Sequence, residues 1–130
     1  MKKYLLFICL TIFIVACKKT ESSKNGLEST WLLKKSYSDP GDGSGKYVDV
    51  PKNSNYTLLF TSDGLVISNT SFFNLNLLKS YTVIDSNKIE FTFNEISSQS
   101  KVVYNYQLKA DTLTLNPLCI EGCGLKFTRK

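Results

Sequence analysis

The side chains able to do chemistry are few, and one absence narrows the field at once. No histidine occurs among the 130 residues. Ser-His-Asp and Cys-His catalysis are therefore closed, and so are the usual nitrogen ligands of zinc. Four thiols remain: Cys9, Cys17, Cys119 and Cys123. The carboxylates Asp85, Glu90, Glu95, Asp111 and Glu121 fall on polar faces or turns, where ordinary solvation accounts for them. No nucleophile and base stand at a readable spacing, so the chain reads as a protein without enzymatic activity.

The run Asp39-Pro40-Gly41-Asp42-Gly43-Ser44-Gly45-Lys46 suggests phosphate or calcium binding. As a phosphate loop it is too short between Gly41 and Gly45, and Tyr47 stands where a magnesium-binding hydroxyl is needed. As a calcium loop it lacks the EF-hand spacing and terminal glutamate. It reads as an exposed connection between the first two strands, with incidental calcium binding the minor alternative. No cofactor or metal is expected.

The N-terminus is more specific. Lys2 and Lys3 precede an uncharged apolar run, Tyr4 to Ala16. That run is short for a permanent span, which needs about 20 residues, but suits the apolar region of a secretory signal. Ile14-Val15-Ala16-Cys17 resembles the lipobox of bacterial lipoproteins. The resemblance implies cleavage before Cys17 and lipidation of its thiol and new amine. Residues 1–16 are then the signal peptide, 17–26 a lipidated flexible tether, and 27–130 one folded domain. Two or more acyl chains hold a protein stably to a membrane, so the expected location is the cell envelope. Lys18 after the cysteine, where inner-membrane retention uses aspartate, points to the outer membrane.

This division explains the charge. Lys2, Lys3, Lys18, Lys19 and Lys24, five of the 16 basic residues, precede the domain. Residues 27–130 are left nearly neutral, with no footprint for nucleic acid. Asn55-Tyr56-Thr57 and Asn69-Thr70-Ser71 match a eukaryotic glycosylation sequon, which a bacterial host leaves aside.

With Cys9 in the signal and Cys17 acylated, Cys119 and Cys123 form an even pair in an oxidising compartment. In Cys119-Ile120-Glu121-Gly122-Cys123 the middle three residues suit a hairpin loop with Gly122 left-handed. Three intervening residues in a β context fit a redox Cys-x-x-Cys poorly, and two thiols alone make a poor zinc site. A structural disulfide is expected.

The elements that hold these residues are strands. Tyr56, Leu58 and Phe60 alternate with polar or outward positions, as do Ile89, Phe91 and Phe93. Val102, Tyr104, Tyr106 and Leu108 do the same, and so do Leu113 and Leu115. Period two with one apolar face marks strands that cover a core on one side. Asp63-Gly64, Asp85-Ser86-Asn87 and Ala110-Asp111 punctuate them. The fold class is all-β, a small antiparallel meander barrel of about seven or eight strands. Phe72 to Leu78 stays open between short helix, lid loop and strand.

Thr30-Trp31-Leu32-Leu33, Asn55 to Phe60 with Asp63-Gly64, Asn87 to Phe91, Asp111 to Leu115 and Cys119 to Phe127 together resemble the lipocalin-like domains of small Bacteroidota lipoproteins. The resemblance covers residues 27–130. It implies that Trp31 plugs the barrel floor with Arg129 packed over it, although Ser29 stands where lipocalins carry glycine. It also implies a cup for a small hydrophobic ligand, lined by Tyr56, Phe60, Phe91, Phe93, Tyr104 and Tyr106. The alternative is an envelope interaction module with a filled barrel, docking on a protein or glycan. An exposed patch at Phe72 and Phe73 would mark the docking face.

Overall fold

The computed structural model describes residues 26–94 and 100–130. Residues 1–25, with the expected signal, Cys17 and nearly all of the tether, lie outside them, as does Glu95. The described chain forms nine strands: β1 (Ser29–Ser38), β2 (Lys46–Asp49), β3 (Thr57–Phe60), β4 (Val66–Ser68), β5 (Leu78–Val83), β6 (Lys88–Phe93), β7 (Lys101–Lys109), β8 (Thr112–Asn116) and β9 (Cys123–Arg129). Eight run in the order β4-β3-β1-β9-β8-β7-β6-β5, and β2 pairs off this path with the far half of β1. Every pairing is antiparallel.

The two ends of the path meet. Leu65 bridges Ser80, the Tyr81 amide donates to the Gly64 carbonyl at 2.9 Å, and the Tyr81 hydroxyl donates to the Thr61 carbonyl at 3.1 Å. The sheet is thus nearly closed into a barrel, which removes most of the open edge that invites aggregation.

Alternation dictates what fills it. Leu58, Phe60, Ile89, Phe91, Tyr104, Tyr106, Leu113, Leu115, Leu125 and Phe127 all point inward and are buried. Each such side chain contributes roughly 1.5–3 kcal/mol on leaving water. Strand β1 needs a correction to its phase. Its register with β9 shifts between Leu33 and Lys35, so Lys34 is an extra, bulged residue. Trp31 and Leu33 face the core before the bulge, and Ser36 opposes the buried Leu125 after it. Without that bulge Lys35 would enter the core.

Phe72–Leu77 is a 3₁₀ segment, and Leu78 already belongs to β5. Phe73 and Asn74 both sit at positive φ, +48° and +59°, a conformation that costs a residue with a Cβ roughly 1–2 kcal/mol. Two contacts hold it: Leu75 is fully buried, and the Tyr104 hydroxyl donates to the Phe73 carbonyl at 3.2 Å. Among the described residues no helix is long and apolar enough to cross a membrane.

Candidate functional site

One end of the barrel is a built floor. Trp31, wholly buried, donates its indole N–H to the Leu27 carbonyl at 2.8 Å. The Arg129 guanidinium lies 4.4 Å from the centre of the indole ring, a cation–π distance. The same guanidinium donates to the Gly26 carbonyl at 2.8 Å and pairs with Asp111 at 3.3 Å. The Lys130 amide donates to the Thr30 carbonyl at 2.9 Å. Both ends of the described chain and the β7–β8 turn are thereby tied together beneath the indole. Gly26 makes this possible: its φ is +65°, and a Cβ there would stand 3.1 Å from Leu108.

Above the floor the aromatic side chains fill the barrel. Phe60 meets Tyr81 edge-on at 4.9 Å and Phe91 at 6.1 Å, and Phe91 meets Tyr104 at 5.2 Å. Such pairs add about 0.5–1.5 kcal/mol beyond burial. Phe60, Phe91, Tyr104 and Tyr106 are buried, while Tyr56 and Phe93 are partly buried against the same core. Burial raises the Tyr104 phenol above its ordinary range. The Tyr106 hydroxyl donates to the Asp85 carbonyl at 3.2 Å, so both buried phenols, Tyr104 and Tyr106, have a protein partner. None of these six residues lines the surface clefts of about 460, 440 and 360 Å³ found on the described residues.

The opposite rim carries the glycine-rich loop and the cysteine hairpin. The Asp39 carboxylate accepts the amides of Gly41 at 2.8 Å, Gly43 at 3.1 Å and Gly45 at 3.1 Å, and the Tyr37 hydroxyl at 3.2 Å. The Gly41 amide is the main reason that its pKa lies below the usual range. The chain wraps closely around Asp39 at Gly45, where a Cβ would stand 2.7 Å from its Oδ2, while Gly41 and Gly43 supply positive φ of +97° and +76°. A carboxylate so engaged with backbone amides is a loop organiser.

Cys119 and Cys123 are joined, with Cα atoms 5.9 Å apart and Gly122 at φ +71°. The loop differs in one respect from the three-residue hairpin expected. Strand β8 stops at Asn116 and β9 begins at Cys123, because Pro117 has no amide to continue the ladder. The disulfide therefore closes a wider loop from within instead of bridging facing strand ends. That loop displays Ile120 fully and Leu118 at 73 % exposure. Phe72 and Phe73 are only partly exposed and pack on the core, so the apolar surface lies elsewhere than expected. Runs of apolar letters signal burial, and two isolated aliphatic residues beside a proline and a cysteine gave no sign of being displayed.

The sequon residues have structural work too. The Asn69 side chain accepts the Thr57 amide at 2.7 Å and donates to the Asn55 carbonyl at 3.1 Å, fastening the start of β3. No protein-family model, curated protein or solved structure matches this chain. What the geometry defines is a small antiparallel β-barrel with a tied floor, a packed interior and a disulfide-closed rim.

Proposed function

We propose that this is a lipid-anchored lipoprotein of the bacterial envelope, acylated at Cys17, whose lipocalin-like barrel serves as a docking module. The packed interior carries the choice of docking over ligand carriage: Phe60, Phe91 and Tyr104 occupy the space a cargo would need. Displacing them would give up several buried contacts at once. The anchor rests on the N-terminal pattern of Lys2-Lys3, the apolar run to Ala16, and Ile14-Val15-Ala16-Cys17. Lys18 favours the outer membrane.

The described chain begins at the floor, where Gly26 is held by Arg129. The rim that displays Leu118 and Ile120 is at the other end, away from Gly26. A disulfide-closed loop with exposed aliphatic tips loses little freedom on binding, which suits it to a pocket on a partner protein.

Mass spectrometry of the protein extracted from its native membrane tests this directly. The expected species starts at an acylated Cys17, contains the Cys119–Cys123 bond and carries no stoichiometric small molecule. An intact N-terminus with unmodified Cys17 would overturn the anchor. A stoichiometric apolar molecule would overturn docking in favour of a ligand carrier.

A further inference from the structure

The outer wall formed by β7, β8 and β9 carries a groove of about 460 Å³. Its most unusual member is Tyr47, which comes from β2 on the other side of β1. The Tyr47 ring packs 5.3 Å from Tyr37, and its hydroxyl reaches the outer side of Gly124. A Cβ on Gly124 would stand 2.9 Å from that hydroxyl and 2.8 Å from Asn116 Oδ1. The missing side chain is thus the seat in which Tyr47 lies beside Asn116. The Lys126 ammonium covers the ring at 4.0 Å. Gln107 and Lys109 from β7, with Thr112, Thr114 and Asn116 from β8, form the rest of the groove.

The chemistry of this lining is one-sided in charge and two-sided in hydrogen bonding. No carboxylate lines it. Asp49, Glu90 and Asp111 are engaged with Lys35, Lys101 and Arg129, and neither Lys109 nor Lys126 has an ion-pair partner among the described residues. The amides of Gln107 and Asn116 and the hydroxyl of Thr114 each donate and accept. They stand on adjacent strands, about 4.8 Å apart. A protein partner would look for an apolar anchor, which this lining lacks. Single-stranded nucleic acid would look for an open aromatic face, and Lys126 and Tyr37 already pack on Tyr47. Sugar hydroxyls both donate and accept, and an acidic substituent would meet the two lysines.

We infer that this groove binds an acidic sugar, carboxylated or phosphorylated, with Lys109 and Lys126 holding the anion and Gln107, Thr114 and Asn116 the hydroxyls. It uses a different wall from the docking rim and goes beyond that reading. Because it does not depend on Cys17, failed acylation leaves it standing, and a failed sugar titration leaves the anchor standing.

Isothermal titration of the full chain in detergent micelles provides the test. The probes are oligogalacturonate, glucose 1-phosphate, neutral maltohexaose and inorganic phosphate. Saturable binding of either acidic sugar, with maltohexaose at least about ten-fold weaker, is expected, and the better of the two identifies the anion. Lys109→Gln and Lys126→Gln should each weaken it about ten-fold, the loss of one charge-assisted bond, with Tm unchanged for Lys109→Gln and lowered only slightly for Lys126→Gln, which gives up the contact with Tyr47. Gly124→Ala should weaken it by displacing Tyr47, and Gln107→Ala gives a second uncharged arm if that variant fails to fold. No saturable binding of either acidic sugar overturns the inference. So does maltohexaose binding equally well, inorganic phosphate alone matching the sugars, or full affinity in both lysine variants.

Discussion

Arg129 is the residue on which most of the floor converges. It stacks on Trp31, donates to Gly26 and pairs with Asp111, so its removal unties three segments together. Arg129→Ala should cost about 2 kcal/mol, the scale of a cation–π contact with a charge-assisted hydrogen bond. Arg129→Lys should recover only part of it, since an ammonium cannot stack and fork in the same way. Urea denaturation of the two variants checks both. Asp39 makes a pH prediction. Its folded pKa is depressed, chiefly by the Gly41 amide, so its contribution is present above the unfolded value of about 3.9. It is lost as pH falls through the lower folded value. NMR titration should place its carboxyl below the ordinary aspartate value, with the amides of Gly41, Gly43 and Gly45 shifting in step. Tyr104 titrates in the opposite regime. Burial raises its pKa, so its share of stability holds below the unfolded value near 10 and is lost as pH rises through the folded one. The difference between ultraviolet titrations of the parent and of Tyr104→Phe should place this phenol's ionisation above the ordinary tyrosine value.

At the level of elements, the cysteine loop and the β1 bulge separate what was readable from what was not. The pair Cys119 and Cys123, and Gly122 between them, were legible because compartment, count and turn chemistry agreed. The width of the loop was missed because the effect of Pro117 on the ladder depends on which strand lies beside it. Removing the staple with Cys119→Ser and Cys123→Ser together should cost about 2 kcal/mol by loop-closure entropy. The same denaturation series measures it. Similarly, the inward faces of β6, β7 and β8 could be read from alternation alone. That of β1 could not be carried through, because the bulge at Lys34 reverses the phase midway, and a bulge is fixed by the partner strand. The 3₁₀ segment was ambiguous for a related reason: its conformation at Phe73 and Asn74 is imposed by Leu75 and Tyr104, not by local preference. Tyr47 was the least legible of all, since its place over Gly124 joins residues from β2 and β9 that only the closed sheet brings together.

For the whole molecule, closure and packing are one property. The aromatic cluster spans β3, β5, β6 and β7, so it holds the two halves of the sheet together across the interior. Phe91→Ala should cost about 3–5 kcal/mol, enough to threaten a domain whose total stability is of the order of 5–15 kcal/mol. If the variant stays folded, it should acquire binding for a small apolar dye that the parent lacks, and fluorescence titration reads that gain. The floor has a further consequence for how the domain comes into being. Strand β1 pairs with β9 over Trp31–Ser38 and Cys123–Arg129, so the first strand waits for the ninth to be synthesised. Until β9 emerges both β1 and β8 have a vacant edge, and the wall stays incomplete. A chain ending before Cys123 should therefore accumulate in aggregates, whereas one joined from Lys130 back to Gly26 by a short linker and opened at a rim loop should still fold, because those ends already lie side by side.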